Sequence, residues 1–292
     1  MIFNSLEKID DQLNIDNSSQ DGYRAYLLND EDSFNNIKAF LLKNNIVMVI
    51  LHLIEYMRKT IMNEQTKNSN ELSFDRYYIG GEPIYEVSVG KAKVSNEVHI
   101  PSTYKGLPVK IISRLGFENA KMSKLTIPDT IITIERAAFK NCENLISVSI
   151  PKGVKELELS SFYGCKSLID ATLHEGLTSI GENVFYECEK LKNITIPSTV
   201  KLIDTQAFYG GENLTSIVIP SSVNSIASYA FCKCYKLKAV YYLGTPTQWN
   251  NNSFENCFSI LPSAKIYFYS KTKPTDTSYH YWHYVNGKPT IW

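Results

Sequence analysis

The chain has 292 residues, 30 Lys and Arg against 30 Asp and Glu, and 43% hydrophobic residues, enough apolar content for one substantial core or two small ones. This composition excludes collagen-like, disulfide-knot and fully disordered classes. A formal net charge of zero also argues against a protein built to neutralise phosphate, so nucleic acid is not an expected partner.

In chain order, the first 70 residues stand apart from the rest of the chain. Residues 1–32 hold eight acids and two bases, an acidic polar lead. The opening MIFNSLEKIDDQ carries acids where a secretory signal has a basic stretch before an apolar one, so no signal peptide is visible in this chain. From Ser33 to about Met62, Phe40, Leu41, Val47, Met48, Leu51, Ile54 and Ile61 follow helical spacing. With Ser33 as N-cap this predicts one helix over about 33–62 within an extension spanning 1–70. Its apolar stripe is a candidate surface for self-association, for docking onto another chain, or for packing on the N-terminal end of the next domain. The nine-residue apolar run Ile46–Ile54 contains His52 and is far shorter than the roughly 20 residues of a bilayer span, so no membrane span is expected.

Residues 71–96 read as a hairpin cap, because YYIGGEPIYEVSVG (Tyr77–Gly90) alternates on both sides of Gly80-Gly81. From 97 to 257 the chain is periodic. Phenylalanine recurs at Phe117, Phe139, Phe162, Phe185, Phe208, Phe231 and Phe254, the first step being 22 residues and the other five 23. An Ile-Pro follows at Ile127-Pro128, Ile150-Pro151, Ile196-Pro197 and Ile219-Pro220, with Leu173-His174 as a degenerate copy. Within one unit, LKNITIPSTVKLIDTQAF (Leu191–Phe208), the apolar spacing is neither helical nor a long alternation. Ile194–Ile196 suits a very short strand that Pro197 ends. Such a coil cannot bury its own apolar side, and stacked copies can.

The succession L-x-x-I-x-I-P, V-x-x-I and A-F-x-x-C, seen whole in NLTSIVIPSSVNSIASYAF (Asn213–Phe231), resembles the leucine-rich repeat family, and within it the subfamily named after the BspA surface antigen. The likeness runs from about Tyr77 to the C-terminus. It implies an α+β solenoid, a right-handed coil of 23-residue units with a narrow parallel sheet on one face and short helical or 3₁₀ turns on the other. It also implies a noncatalytic, protein-binding role in adhesion or surface recognition, with a host matrix or cell-surface protein as partner and a surface or secreted location. Without a signal peptide in view, an intracellular interaction scaffold is the alternative. The aromatic segment 258–292 resembles the C-terminal caps of bacterial members, which implies that this end is complete.

Four groups of side chains are candidate sites. Cys142, Cys165, Cys188, Cys234 and Cys257 each lie three residues after the unit's Phe, a slot filled elsewhere by Ala120 and Gly211. In-register side chains point alongside one another, so buried free thiols are expected and not disulfides. His52, His99, His174, His280 and His283, and the pair Cys232-x-Cys234, lack companions at metal-ligand spacing, and no nucleophile elbow, phosphate loop or zinc-protease motif occurs. No metal, cofactor or catalytic residue is therefore expected. The leading candidate is the exposed strand face: Thr126, Ser149, Thr172, Thr195, Val218 and Tyr241 two residues before each proline slot, and Lys124, Ser147, Asp170, Asn193 and Ser216 four before it. The alternative is a carbohydrate-binding module in the C-terminal aromatic cluster, with Trp249, Tyr281, Trp282 and Trp292 stacking on sugar rings, although capping the last coil calls on the same residues.

Overall fold

The computed structural model describes residues 71–89, 94–254 and 264–292. The expected 33–62 helix, the remainder of the 1–70 extension and Cys257 lie outside the described residues.

The chain first forms an antiparallel hairpin, β1 (Leu72–Ile79) and β2 (Glu82–Val89), joined by Gly80-Gly81. Both glycines have positive φ, +59° and +90°, the backbone a two-residue hairpin turn demands and an L side chain resists. Next come β3 (Glu97–His99), β4 (Thr103–Tyr104) and β5 (Leu107–Ile112). β2 runs parallel to β5, so the hairpin covers the strand edge of the first coil.

The repeats then alternate two kinds of short strand. One column holds β6 (Lys124–Thr126), β8 (Ser147–Ser149), β10 (Asp170–Thr172), β12 (Asn193–Ile194), β14 (Ser216–Ile219) and β16 (Ala239–Tyr242). The other holds β7 (Thr133–Ile134), β9 (Glu156–Leu157), β11 (Ser179–Ile180), β13 (Leu202–Ile203), β15 (Ser225–Ile226) and β17 (Ser253–Phe254). All pairings within the two columns are parallel. The proline slot separates them: the carbonyls of Pro128, Pro151, Pro197 and Pro220 each accept the amide three residues on at 3.1 Å. His174 makes the same turn, at 3.3 Å, since the turn uses its carbonyl and not a ring. The strand column ends on β18 (Lys265–Tyr269), β19 (His280–Val285) and β20 (Lys288–Ile291), the last antiparallel.

The side opposite the first strand column departs from expectation. The described residues contain one α-helix, α1 (Pro246–Asn251), started by a Thr245–Gln248 capping box. Around each repeat Phe the chain makes successive turns in place of helix. The cause lies in the backbone: the residues two before and two after each Phe from Phe117 to Phe231 have positive φ, as at Ala137 (56°) and Asn141 (57°), or Gln206 (55°) and Gly210 (74°). A left-handed residue every fourth position stops a right-handed helix from propagating. Amides then alternate in their use. Ala138, Lys140 and Cys142 bond carbonyls three residues back in their own coil, whereas Ala137, Phe139 and Asn141 donate to Leu159, Ser161 and Tyr163 of the next at 2.9, 2.8 and 2.6 Å. The turn side is thus a third backbone ladder between coils, beside the two strand columns.

Inside, the repeat Phe side chains from Phe117 to Phe231 are all buried and stack with centroids 5.1 to 5.8 Å apart. Cys142, Cys165, Cys188 and Cys234 are buried free thiols. Each donates to the carbonyl of the preceding coil's Phe, at 3.1 Å for Cys142 and Cys234 and 3.3 Å for Cys165 and Cys188. Burial pushes the thiol of Cys165 well up, that of Cys188 likewise, and that of Cys234 to about 12, so these remain neutral thiols in a mildly basic medium. Ser161 is a buried residue whose hydroxyl finds no partner. It occupies the slot before the Phe that Ala138, Ala207 and Ala230 fill in other coils.

Two outcomes are expected. Ser161→Ala, which removes an unpaired buried hydroxyl, raises the unfolding free energy by about 1 kcal/mol in denaturant titration; a loss of stability would contradict this. Alkylation with iodoacetamide at mildly basic pH leaves Cys142, Cys165, Cys188 and Cys234 unmodified in native protein and labels all four in denaturant, as read by peptide mass spectrometry; native labelling would contradict the sealed thiol column.

Candidate functional site

Because strand side chains alternate, each inward residue of the first column leaves its neighbours facing out. Val148 and Ala171 are buried, while Thr126, Ser149, Thr172 and Thr195 are exposed. Register sets Thr172 opposite Ser149, Asp170 opposite Ser147 and Asn193, and His99 opposite Thr126. The hydroxyls consequently form a row at the strand spacing of about 4.8 Å. In the second row Lys124, Ser147 and Ser216 are exposed and Asp170 is half-buried. Charge is concentrated at the start of the face, where Glu97 lies 3.4 Å from His99 and 3.8 Å from Lys124. Along the hydroxyl row His174 Nε2 lies 3.3 Å from Ser149 Oγ.

Further along, the same row changes character. Val218 and Tyr241 are half-buried, and register carries the row from Tyr241 to Tyr267 and then to His280. Ala239, Tyr267 and Trp282 form a small apolar cluster, separate from the main core, with Val218, Tyr241, Leu243 and Tyr269 packed against it. Trp282 lies 5.2 Å from Tyr241, 5.3 Å from Tyr269 and 4.8 Å from Tyr284, with rings tilted at 54°, 67° and 74°. The strand face and the C-terminal aromatics, separate candidates in the sequence, are therefore continuous. Burial pushes the phenols of Tyr241 and Tyr284 up, with Tyr267 and Tyr269 adding to it, so both remain hydrogen-bond donors at neutral pH.

Of the four aromatics expected to stack on sugar rings, Trp282 is corrected by this arrangement. Trp282 is 0% exposed and its Nε1 donates to the Tyr242 carbonyl at 3.1 Å, leaving no ring face for a ligand. Trp249 packs on Tyr242, Phe254 and Phe268, closing the main core. Tyr281 also packs against that core, its hydroxyl donating to Asp276 Oδ2 at 3.2 Å. Trp292 is the most open of the four at 38% exposure, but His283 stacks on it at 3.6 Å and its Nε1 donates to Ser270 O at 3.1 Å.

A further column escapes a reading of the sequence alone. Tyr163, Tyr186 and Tyr209, each one residue after a repeat Phe, stack on the turn side at 4.7 and 4.5 Å with rings parallel within 4°. Lys140 and Lys233 lie over the two ends, 6.0 and 5.0 Å from the outer rings. Its one signal in the sequence is the 23-residue recurrence of Tyr. With every ring face covered, the column is chiefly a structural brace. Among the described residues no three of His, Cys, Asp and Glu converge as metal ligands, and no helix is long and apolar enough to cross a membrane.

Comparison with known proteins agrees with the geometry. Residues 110–238 match the model of the BspA type leucine rich repeat region in six copies. Residues 110–238 are thus a BspA-type leucine-rich repeat region. Among solved structures, a leucine-rich repeat protein of Eubacterium ventriosum is similar at 20% identity, with 74% of this chain and 54% of that one covered and a TM-score of 0.51. A leucine rich cell surface protein of Faecalibacterium prausnitzii shares 26% identity over 58% of this chain and 55% of that one, with a TM-score of 0.43. The pneumococcal vaccine antigen PcpA shares 16% identity over 71% and 87%, with a TM-score of 0.38. No curated protein matches the chain in sequence.

Proposed function

We propose that this leucine-rich repeat array is a noncatalytic scaffold that binds a protein partner across its strand face. One observation carries the reading: Thr126, Ser149 and Thr172 on their strands, and Thr195 directly after β12, form an exposed hydroxyl row beside inward residues that lock into the core. These outward side chains add little to the core, and a rigid surface of hydrogen-bonding groups at fixed spacing loses little entropy when a ligand docks. The family resemblance supports adhesion or surface recognition as the setting, with a host matrix or cell-surface protein as partner and a surface or secreted location.

The test is binding of the full chain to a panel of immobilised host matrix proteins, repeated with Thr172→Arg and Thr195→Arg. Both substitutions place a bulky charge on the exposed row without touching the core. Loss of about tenfold or more in affinity with an unchanged melting temperature is expected. Full binding by the double variant would contradict a strand-face site.

A further inference from the structure

The chain is neutral as a whole but not along its length. Residues 232–292 carry seven Lys and no Arg against Glu255 and Asp276, a surplus of five, leaving 23 bases and 28 acids in residues 1–231. Two of the seven are engaged elsewhere: Lys233 lies over Tyr209 and Lys236 Nζ donates to Asn213 Oδ1 at 2.7 Å. The remaining five, Lys238, Lys265, Lys271, Lys273 and Lys288, are all exposed. In the described part of this stretch the acid is Asp276, whose carboxylate already accepts from Ser278 N at 2.7 Å and Tyr281 OH at 3.2 Å.

These lysines are placed around the aromatic end of the strand face. Lys238 immediately precedes β16 and Lys265 begins β18, the carbonyl of Lys238 accepting the amide of Lys265 at 2.9 Å. Lys271 and Lys273 follow the end of β18 in a loop pinned at Ser270, whose amide donates to Trp282 O at 2.9 Å and whose carbonyl accepts from Trp292 Nε1. Lys288 stands at the hairpin tip opposite Val285. Positive charge thus flanks the patch from both strand ends, separated by the length of β18, roughly 15 Å at about 3.3 Å per residue.

We propose that this end of the strand face binds an anionic polysaccharide, its sulfate or carboxylate groups paired with the lysine rim and its hydroxyls hydrogen-bonded to the tyrosines between. The rim selects a negatively charged partner. The floor selects a hydroxyl-rich one. Tyr241, Tyr269 and Tyr284 are tilted against Trp282, and Tyr269 and Tyr284 against each other, so the rings pack edge against face and offer their phenols to a ligand. A single-stranded nucleic acid needs open ring faces for its bases, and an acidic peptide uses charge without needing several phenols. This site goes beyond the protein-binding reading and does not depend on it.

The experiment is calorimetric titration of the full chain with a heparin dodecasaccharide at physiological salt, alongside an uncharged dextran oligomer, poly-glutamate and an oligothymidylate of similar charge. Lys265→Glu, Lys271→Glu and Lys273→Glu together are expected to weaken heparin binding about tenfold or more. Lys152→Glu, Lys155→Glu and Lys166→Glu together, the same charge change within the repeats, leave it within about twofold. Tyr269→Phe with Tyr284→Phe, which keeps the packing and removes two hydroxyls, weakens it several-fold, while dextran does not bind. No heparin binding by the parent chain, equal losses in the two lysine triples, no loss with the tyrosine pair, or equally tight poly-glutamate or oligothymidylate would each overturn the proposal.

Discussion

A 23-residue coil of two short strands and a run of turns has no interior of its own; the nearest ring to Phe162 is Phe139 of the coil before, 5.1 Å away. The rest of the architecture is a consequence of stacking one coil on the next. Side chains of one slot meet their own kind, so each slot settles on what tolerates its copy above and below: a ring, a branched aliphatic, a thiol. The backbone is bound by the same rule. Amides on the turn side donate across to the next coil as regularly as those of the strands, so three ladders, two of strands and one of turns, hold the apolar columns between them. Polar groups inside must then find a carbonyl of an adjacent coil, as the thiol column does and the Ser161 hydroxyl does not.

Stacking also explains why the outward rows are available for function. A Thr or Ser on the strand face adds little to the core, whereas the residue beside it is fixed by the coils on both sides. The surface can therefore vary in chemistry while its spacing stays constant. Here it changes from charge at Glu97 and Lys124, through hydroxyls, to tyrosine at the last strands. The tyrosine end is built by the C-terminal strands, which pair in register with β16 and through it with β14.

The period, the proline-slot turns and the cysteine slot were legible because each is a residue type repeated at fixed spacing for a local physical reason. The turn side was not. Positive φ at Ala137, Gln206 or Tyr229 leaves no mark in residue type, and a run such as Ala137-Ala138 reads locally as helix. Nor was the junction of hydroxyl row and aromatic cluster legible, since Tyr241 to Tyr267 is a step of 26 residues and Tyr267 to His280 one of 13. Only pairing fixes that register. Trp282 illustrates the consequence: as an aromatic near the end of the chain it reads as a ligand platform, yet its neighbours bury it. The C-terminal charge surplus lies in plain view in the sequence, hidden by a whole-chain sum of zero.

Amide hydrogen exchange on the folded chain tests the turn-side ladder most directly. It predicts that the turn-side amides of Phe139, Phe162, Phe185 and Phe208, which donate to the next coil at 2.8 to 3.1 Å, exchange as slowly as strand amides such as those of Ala171 and Ile217. Rapid exchange along the turn side beside protected strands would mean that the strand columns alone hold the coils together, and would contradict it.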